Sequence, residues 1–280
     1  MFSAFKLRRI ALNLIRSSNS RPLSEMKATA KLSGKVALVT ASTEGIGFAI
    51  AKRLAEDGAS VVISSRKQDK VEKRVKQLQD SGLDVVGTVC HVGNQEQRNK
   101  LVDFALEQKG GIDIFVSNAA VSPAMGMTLE CSEAAWDKIF DINLKSAFLL
   151  TKLIVPQMEK KGGGSIVYIS SIGGYQPLQL IGAYSVSKTA LLGLTKALAI
   201  ECAPMKIRVN CVCPGIIQTQ FSRPFWENEA FLEMIKQVVP MRRIGQPEEI
   251  ASLVSFLSSD DASYLTGESI PVAGGFYSRL

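Results

Sequence analysis

From Gly34 onward, short apolar runs alternate with stretches in which apolar residues recur every three or four positions. KVALVT (35–40) is the first run, closed by a turn that carries glycines. Ile46, Ile50, Ala51, Leu54 and Ala55 follow at helical spacing within 46–57. SVVISS (60–65) predicts a second strand. The polar stretch after it, with Val71, Val75 and Leu78, predicts a second helix. DVVGTVCHV (84–92) predicts a third strand, 94–109 a third helix on Leu101, Phe104 and Ala105, and IDIFVSN (112–118) a fourth strand.

The alternation continues to the far end. Residues 132–161 read as one long helix that stops at Gly162-Gly163-Gly164. SIVYISS (165–171) and IRVNCVCP (207–214) predict two more strands, with a helix over 183–203 between them. Helical segments over 222–238 and 247–258 precede a last strand in ESIPVAGG (268–275). Strands joined by helical crossovers pair in parallel, and their helices cover both faces of the sheet. The pattern therefore predicts an α/β fold: one doubly wound parallel sheet of about seven strands within residues 33–275. No repeat and no linker divides it.

Composition adds bounds. Of 280 residues, 46% are apolar and 21% charged, which suits a globular domain. No apolar run reaches the roughly 18 residues of a membrane span. The formal net charge of +7 would suit a nucleic-acid partner if it formed a stripe. Instead Lys6, Arg8, Arg9, Arg16 and Arg21 face Glu25 alone, so more than half of the excess lies in residues 1–25. No nucleic-acid partner is expected.

On a helix, Leu7, Ile10, Ala11, Leu14 and Ile15 form an apolar stripe with Arg8, Arg9 and Arg16 away from it. That is the pattern of a mitochondrial transit peptide in 1–25. Ser278-Arg279-Leu280 is a conservative version of the peroxisomal SKL tripeptide. The mitochondrial matrix is the expected site, with the peroxisome as alternative or second site. A start at Met26 would leave only the second address.

Cys90, Cys131, Cys202, Cys211 and Cys213 are odd in number and form no CxxC, which predicts reduced structural thiols. Cys211 and Cys213 should share one face of their strand. His91 is the single histidine, so no metal site is expected, and a Ser-His-Asp triad has no other histidine to use.

Two stretches carry candidate chemistry. In TASTEGIG (40–47), Gly45 and Gly47 stand where the first strand turns into the first helix, and there backbone N–H groups can meet a phosphate. After the second strand, Ser65, Arg66 and Lys67 stand where an acid usually meets a free ribose 2′-hydroxyl. Cations there suit a 2′-phosphate, hence NADPH rather than NADH. In AYSVSK (183–188), Tyr184 and Lys188 lie one helical turn apart on one face. Ser185 and Ser187 between them read as helix filler.

TASTEGIG, SNAA (117–120), the Asn of DIN (141–143), YISS (168–171), YSVSK (184–188) and PGIIQT (214–219) appear in this order. In order and spacing they resemble the short-chain dehydrogenase/reductase superfamily. Within it the chain is similar to mammalian NADPH-dependent carbonyl, dicarbonyl and retinal reductases of mitochondria and peroxisomes. The resemblance implies a Rossmann-type fold, a small-molecule carbonyl substrate and a homo-oligomer, tetramer or dimer.

It also implies a catalytic tetrad of Asn143, Ser171, Tyr184 and Lys188. Ser171, not its neighbour Ser170, stands the usual 13 residues before the tyrosine. Tyr184 would donate the proton, Ser171 would hydrogen-bond the same oxygen, and Lys188 would hold the nicotinamide ribose. Free tyrosine titrates near 10, and Lys188 is expected to lower that value. Asn143 would distort the long helix and expose a carbonyl to a water.

Cofactor contacts are implied for Ala41, Ser42, Thr43, Gly45, Ile46 and Gly47 of the turn. Ser65, Arg66, Lys67, His91 and Val92 would serve its outer half. Asn118, Ala119, Pro214, Gly215, Ile217 and Thr219 would serve the nicotinamide half with Tyr184 and Lys188. The segment over 220–240 would be a substrate lid in which Phe221, Phe225 and Trp226 join Ser171 and Tyr184 against the substrate, with Phe231 nearby.

The sequence departs from the family pattern at four places. Ala41 replaces the first glycine of the turn and should need φ < 0. SNAA replaces NNAG. His91 replaces an acid against the adenine. Glu44 is an unwelcome charge near phosphates. A hydroxysteroid dehydrogenase or a 3-oxoacyl reductase is the alternative within the same chemistry. An NADPH-binding protein acting through protein contacts is the alternative outside it.

Overall fold

A computed structural model describes residues 30–123 and 125–276; the leader read in 1–25 and the tail in 278–280 lie outside these residues. Seven strands form one parallel sheet in the order β3-β2-β1-β4-β5-β6-β7. They are β1 (Val36–Val39), β2 (Ser60–Ser65), β3 (Val85–Val89), β4 (Ile114–Ser117), β5 (Gly164–Ile169), β6 (Ile207–Pro214) and β7 (Ser269–Val272). The expected doubly wound α/β sheet is what forms.

The helices of the first half are α1 (Gly45–Glu56), α2 (Gln68–Asp80) and α3 (Gln95–Lys109). In the second half come α4 (Glu133–Phe140), α5 (Ser146–Lys160), α6 (Gly182–Cys202), α7 (Arg223–Trp226), α8 (Glu229–Val238) and α9 (Pro247–Ser258). The period of two along each strand divides the core. Ala37, Val39, Val61, Ile63, Val116 and Val167 face α1 and α9, where Ile50, Leu54, Ile250 and Val254 meet them. Leu38, Val62, Phe115, Ile166, Tyr168 and Cys211 face α3, α5 and α6 through Leu101, Leu150, Ile154 and Leu198. Cys211 and Cys213 share the second face, their sulfurs 4.0 Å apart, and the five cysteines are free thiols.

Local chemistry sets the ends of these elements. Asn94 caps α3 by accepting the Gln97 N–H at 3.0 Å, and left-handed Gly110 ends it. Ser132 caps α4 through the Ala135 N–H. The long helix expected over 132–161 is continuous but contains a π-helical turn at Asp141–Lys145, between α4 and α5. The stretch expected as one helix over 222–238 breaks after Trp226, and Asn228 caps a new helix by accepting the Phe231 N–H.

The strand order reverses between β1 and β4, whose connections leave toward opposite sides. A crevice forms at the carboxyl ends of strands at such a reversal. Ala41, Asn118 and Ser170 follow strands that end there, and Pro214 is the last residue of another.

Candidate active site

A cleft of about 450 Å³ runs along these strand ends. Its centre is the turn after β1. Gly47 is obligatory there: a Cβ on it would stand 2.4 Å from both the Ala41 carbonyl oxygen and Asn118 Nδ2. Asn118 Nδ2 donates to the carbonyls of Thr40 (3.2 Å) and Ala41 (3.0 Å), so its amide braces the turn. Ala41 adopts φ +50°, not the negative φ expected of it. A methyl-bearing residue in that region costs about 1–2 kcal/mol, and the brace from Asn118 holds it there.

Glu44 precedes α1 without capping it by a side-chain bond, so the first N–H groups of the helix open onto the cleft beside Gly45, Ile46 and Gly47. The unwelcome charge of Glu44 is met by Lys70 of α2, 3.1 Å from both carboxylate oxygens. Arg74 Nε donates to the Thr43 carbonyl at 2.9 Å and fixes the same turn from outside.

One end of the cleft holds Ser171, Tyr184 and Lys188. Tyr184 and Lys188 lie in the first two turns of α6 and are buried. Ser171 accepts the Gly173 N–H at 3.0 Å, which leaves its own O–H to hydrogen-bond the Tyr184 oxygen. Lys188 is only 1% exposed, and its Nζ donates to the Ile169 carbonyl at 2.8 Å. An ammonium has three donors, so two remain for the cleft. Nζ lies 5.5 Å from the Tyr184 ring centre.

Burial, not the lysine, dominates the tyrosine: desolvation pushes its pKa above the ordinary phenol value, and the Ser171 bond opposes this. The lowering expected from Lys188 is not found: Ser171 is the group that opposes burial. Burial also pulls Lys188 down to about 8.

Asn143 sits in the π turn, so the expected distortion is present. Its Oδ1 accepts the Val121 N–H (2.8 Å), and its Nδ2 donates to the Val121 carbonyl and to Ser187 Oγ (3.0 Å each). Ser187 in turn donates to the Tyr184 carbonyl at 2.6 Å. Ser185 Oγ accepts the Leu178 N–H at 3.2 Å. Both serines are fully buried, and neither is filler. Ser170 turns away to the Lys188 carbonyl at 2.8 Å, as its one-residue offset requires.

The outer end holds Ser65, Arg66, Lys67, His91 and Val92, all lining the cleft as expected. The β3–α3 turn is rigid. His91 N–H reaches Gln97 Oε1 (2.7 Å), and buried Arg98 donates to the Val92 carbonyl (2.7 Å). Lys138 of α4 reaches across, its Nζ 3.5 Å from His91 Nε2.

Ala119, Pro214, Gly215, Ile217 and Thr219 also line the cleft, with Thr219 opposite Gly45. Phe221 is 51% exposed and its ring centre lies 5.8 Å from that of Tyr184. Phe225 lines the same wall, backed by Phe231 at 5.3 Å.

Two of the expected residues do not line the cleft. Ser42 is buried beneath the turn, donating to the Val39 carbonyl (2.7 Å) and accepting the Ser64 N–H (3.0 Å), so it ties β1 to β2 and does not line the cleft. Trp226 points its indole N–H to the Thr219 carbonyl (3.0 Å) and braces the loop instead of lining the cleft.

Lys70, Lys138, Leu178 and Ile181 line it without having been expected. Lys70 follows the cationic turn by three residues, which was a usable signal. Nothing local marks Lys138.

Among the described residues the cleft presents Arg66, Lys67, Lys70, Lys138 and Lys188 against Glu44 alone. With the open helix start and the two spare donors of Lys188, these residues fit a dinucleotide. A family profile described as Enoyl-(Acyl carrier protein) reductase matches residues 40–277. "Dehydrogenase/reductase SDR family member 4" of Bos taurus is 59% identical over 249 residues, 89% of each chain. "Dehydrogenase/reductase SDR family member 2, mitochondrial" of Homo sapiens is 54% identical over 243 residues, 87% of this chain and 86% of that one. Among solved structures, a 7α-hydroxysteroid dehydrogenase complexed with NADH and 7-oxo glycochenodeoxycholic acid aligns with a TM-score of 0.85 at 32% identity, over 90% of this chain and 98% of its own.

Proposed function

Because this chain belongs to the short-chain dehydrogenase/reductase family of oxidoreductases, we propose that it is an NADPH-dependent carbonyl reductase. Its substrates in this reading are ketones, aromatic and α-dicarbonyls and retinal, reduced to alcohols. The observation that carries it is the convergence of the Tyr184 and Ser171 hydroxyls at one end of a cationic cleft, with buried Lys188 behind them.

The cofactor supplies the hydride. A carbonyl oxygen that accepts a hydride gains negative charge, and groups already aimed at that charge stabilise it without reorganising. Tyr184 donates its proton to that oxygen, and Ser171 hydrogen-bonds it. Burial keeps Tyr184 protonated, which suits a donor. Lys188 uses its two spare donors on the ribose hydroxyls and places a positive charge beneath the phenol. Asn143 acts through structure: its amide joins Val121 to Ser187 and so to Tyr184.

Arg66, with Ser65 and Lys67, takes the 2′-phosphate, since the sole acid lining the cleft among the described residues is bound by Lys70. Phe221 and Phe225 form the apolar wall of a lid.

The test is NADPH oxidation with an aromatic α-dicarbonyl, wild type against Tyr184→Phe. A large loss of kcat in the variant supports the reading. Equal rates remove Tyr184 as the acid, and a clear kcat/KM preference for NADH removes the 2′-phosphate assignment. Turnover of none of a panel of carbonyls favours a binding protein.

A further inference from the structure

The turn that would receive a cofactor's phosphates carries a carboxylate of its own. Glu44 stands immediately before α1, at the position whose side chain caps α3, α4 and α8 through Asn94, Ser132 and Asn228. A negative group there is drawn to the open N–H groups and to the positive end of the helix dipole. A carboxylate settled on them would compete with a phosphate for the same donors. Yet Glu44 makes no such bond. Its carboxylate turns to α2 instead, where both oxygens accept from Lys70 Nζ at 3.1 Å.

Lys70 does not act in isolation. Arg74 lies one turn further along the same face of α2. Its Nε donates to the Thr43 carbonyl at 2.9 Å, and its guanidinium carbon lies 4.4 Å from the centre of the Phe48 ring on α1. One face of α2 thus grips the turn by its backbone at Thr43, by its side chain at Glu44 and by the ring of Phe48. The helix itself is closely seated. A Cβ on Gly87 of β3 would stand 2.7 Å from Val71 and 2.9 Å from Val75, so α2 rests against bare strand backbone.

Stability does not account for the Glu44–Lys70 pair. Both side chains are about half exposed, and ion pairs of that kind add little to folding. What the pair fixes is position. Glu44 is the only acid lining the cleft among the described residues, and Lys70 lines it too.

We infer that Lys70 is a positioning residue for cofactor binding: it holds the Glu44 carboxylate off the start of α1 and keeps that helix end free for the phosphates of the dinucleotide. Lys70 then works through Glu44 and not on the cofactor. This rests on the dinucleotide reading of the cleft above.

The test is a double-mutant cycle on equilibrium binding to the full chain, by calorimetry, with NADPH and with NADH. The variants are Lys70→Met, Glu44→Gln and the two together. Removing one charge from a fixed array changes affinity by the same factor whatever its neighbours, so a simple field effect is additive. A carboxylate released onto the helix start is not. Lys70→Met should weaken both dinucleotides about tenfold when made alone, and about threefold or less in the Glu44→Gln background. Both cofactors share the pyrophosphate, so both should show the coupling. Factors that agree within about twofold in the two backgrounds overturn the inference. A loss confined to NADPH also overturns it and puts Lys70 on the 2′-phosphate itself. If the wild-type chain binds neither dinucleotide, the reading of the cleft and this inference fall together.

Discussion

At the Tyr184 end of the cleft the working groups are buried, and their backbones are tied by buried hydroxyls: Ser170 to the Lys188 carbonyl, Ser187 to the Tyr184 carbonyl. At the His91 end the cations stand largely in solvent. They come from separate places, Arg66 and Lys67 after β2, Lys70 on α2 and Lys138 on α4. The first arrangement fixes positions to fractions of an ångström. The second builds a field from charges that can each move. Chemistry should therefore fail steeply at one end, while affinity should decline gradually and depend on salt at the other.

The sharpest break is Tyr184→Phe. Loss of a general acid typically costs about 10²–10⁴ in rate, and the phenyl ring keeps the packing. Steady-state kinetics should show that loss in kcat, with a melting temperature close to wild type. A retained kcat would end the contrast between the two ends.

The second concerns pH. Lys188 titrates near 8, and its charged form is the useful one. Carbonyl reduction should fall as pH rises through that value, approaching about tenfold per unit above it. A kcat/KM profile flat to pH 10 would refute this. The same depression acts oppositely on stability. The unfolded chain binds the extra proton between about 8 and the ordinary lysine value, so this group's contribution to the free protein's stability rises with pH there.

The third lies between the ends. Gly47→Ala puts a methyl group against the Ala41 carbonyl and the Asn118 amide, and overpacking of this kind costs about 1–3 kcal/mol. Urea denaturation should show it. An unchanged midpoint would mean that the turn is looser than its geometry.

The smallest effect belongs to the open end. Arg66→Ala should weaken NADPH binding by roughly tenfold at low salt and less at high salt, with NADH almost unaffected. Titration of both cofactors at two ionic strengths measures it. Equal losses for both would place the arginine on something other than the 2′-phosphate.

Most of the fold was legible because its strands carry buried apolar runs and its helices carry apolar residues at helical spacing, some with capping residues or glycine stops. The site residues with fixed spacing were legible too, as Ser171 was distinguished from Ser170 by one residue. What escaped depended on where side chains turn in three dimensions. Ser42 belongs to the turn motif but points inward. Trp226 belongs to the aromatic stretch over 220–240 but spends its N–H on Thr219. Ser187 looks like filler until Asn143, 44 residues away, is seen to donate to it. Lys138 becomes part of the cleft only because α4 crosses beside the β3–α3 turn.

The π turn at Asp141–Lys145 has a further consequence, for insertion and deletion rather than substitution. Each residue of an α-helix advances about 100° around the axis, and a π turn takes in one residue more than an α turn. The turn therefore works as a phase shifter. Before it, the helix aims Lys138 at His91; after it, the helix aims Leu150 and Ile154 into the sheet. Winding DINLK as regular α-helix with its surplus residue in place would rotate one half against the other by about that angle, whereas removing that residue would restore regular winding and leave both halves aimed as they are. A shorter loop is usually a harmless change in a protein of this size. Here the loss of one residue in mid-helix would spare both faces and cost the distortion in which Asn143 sits.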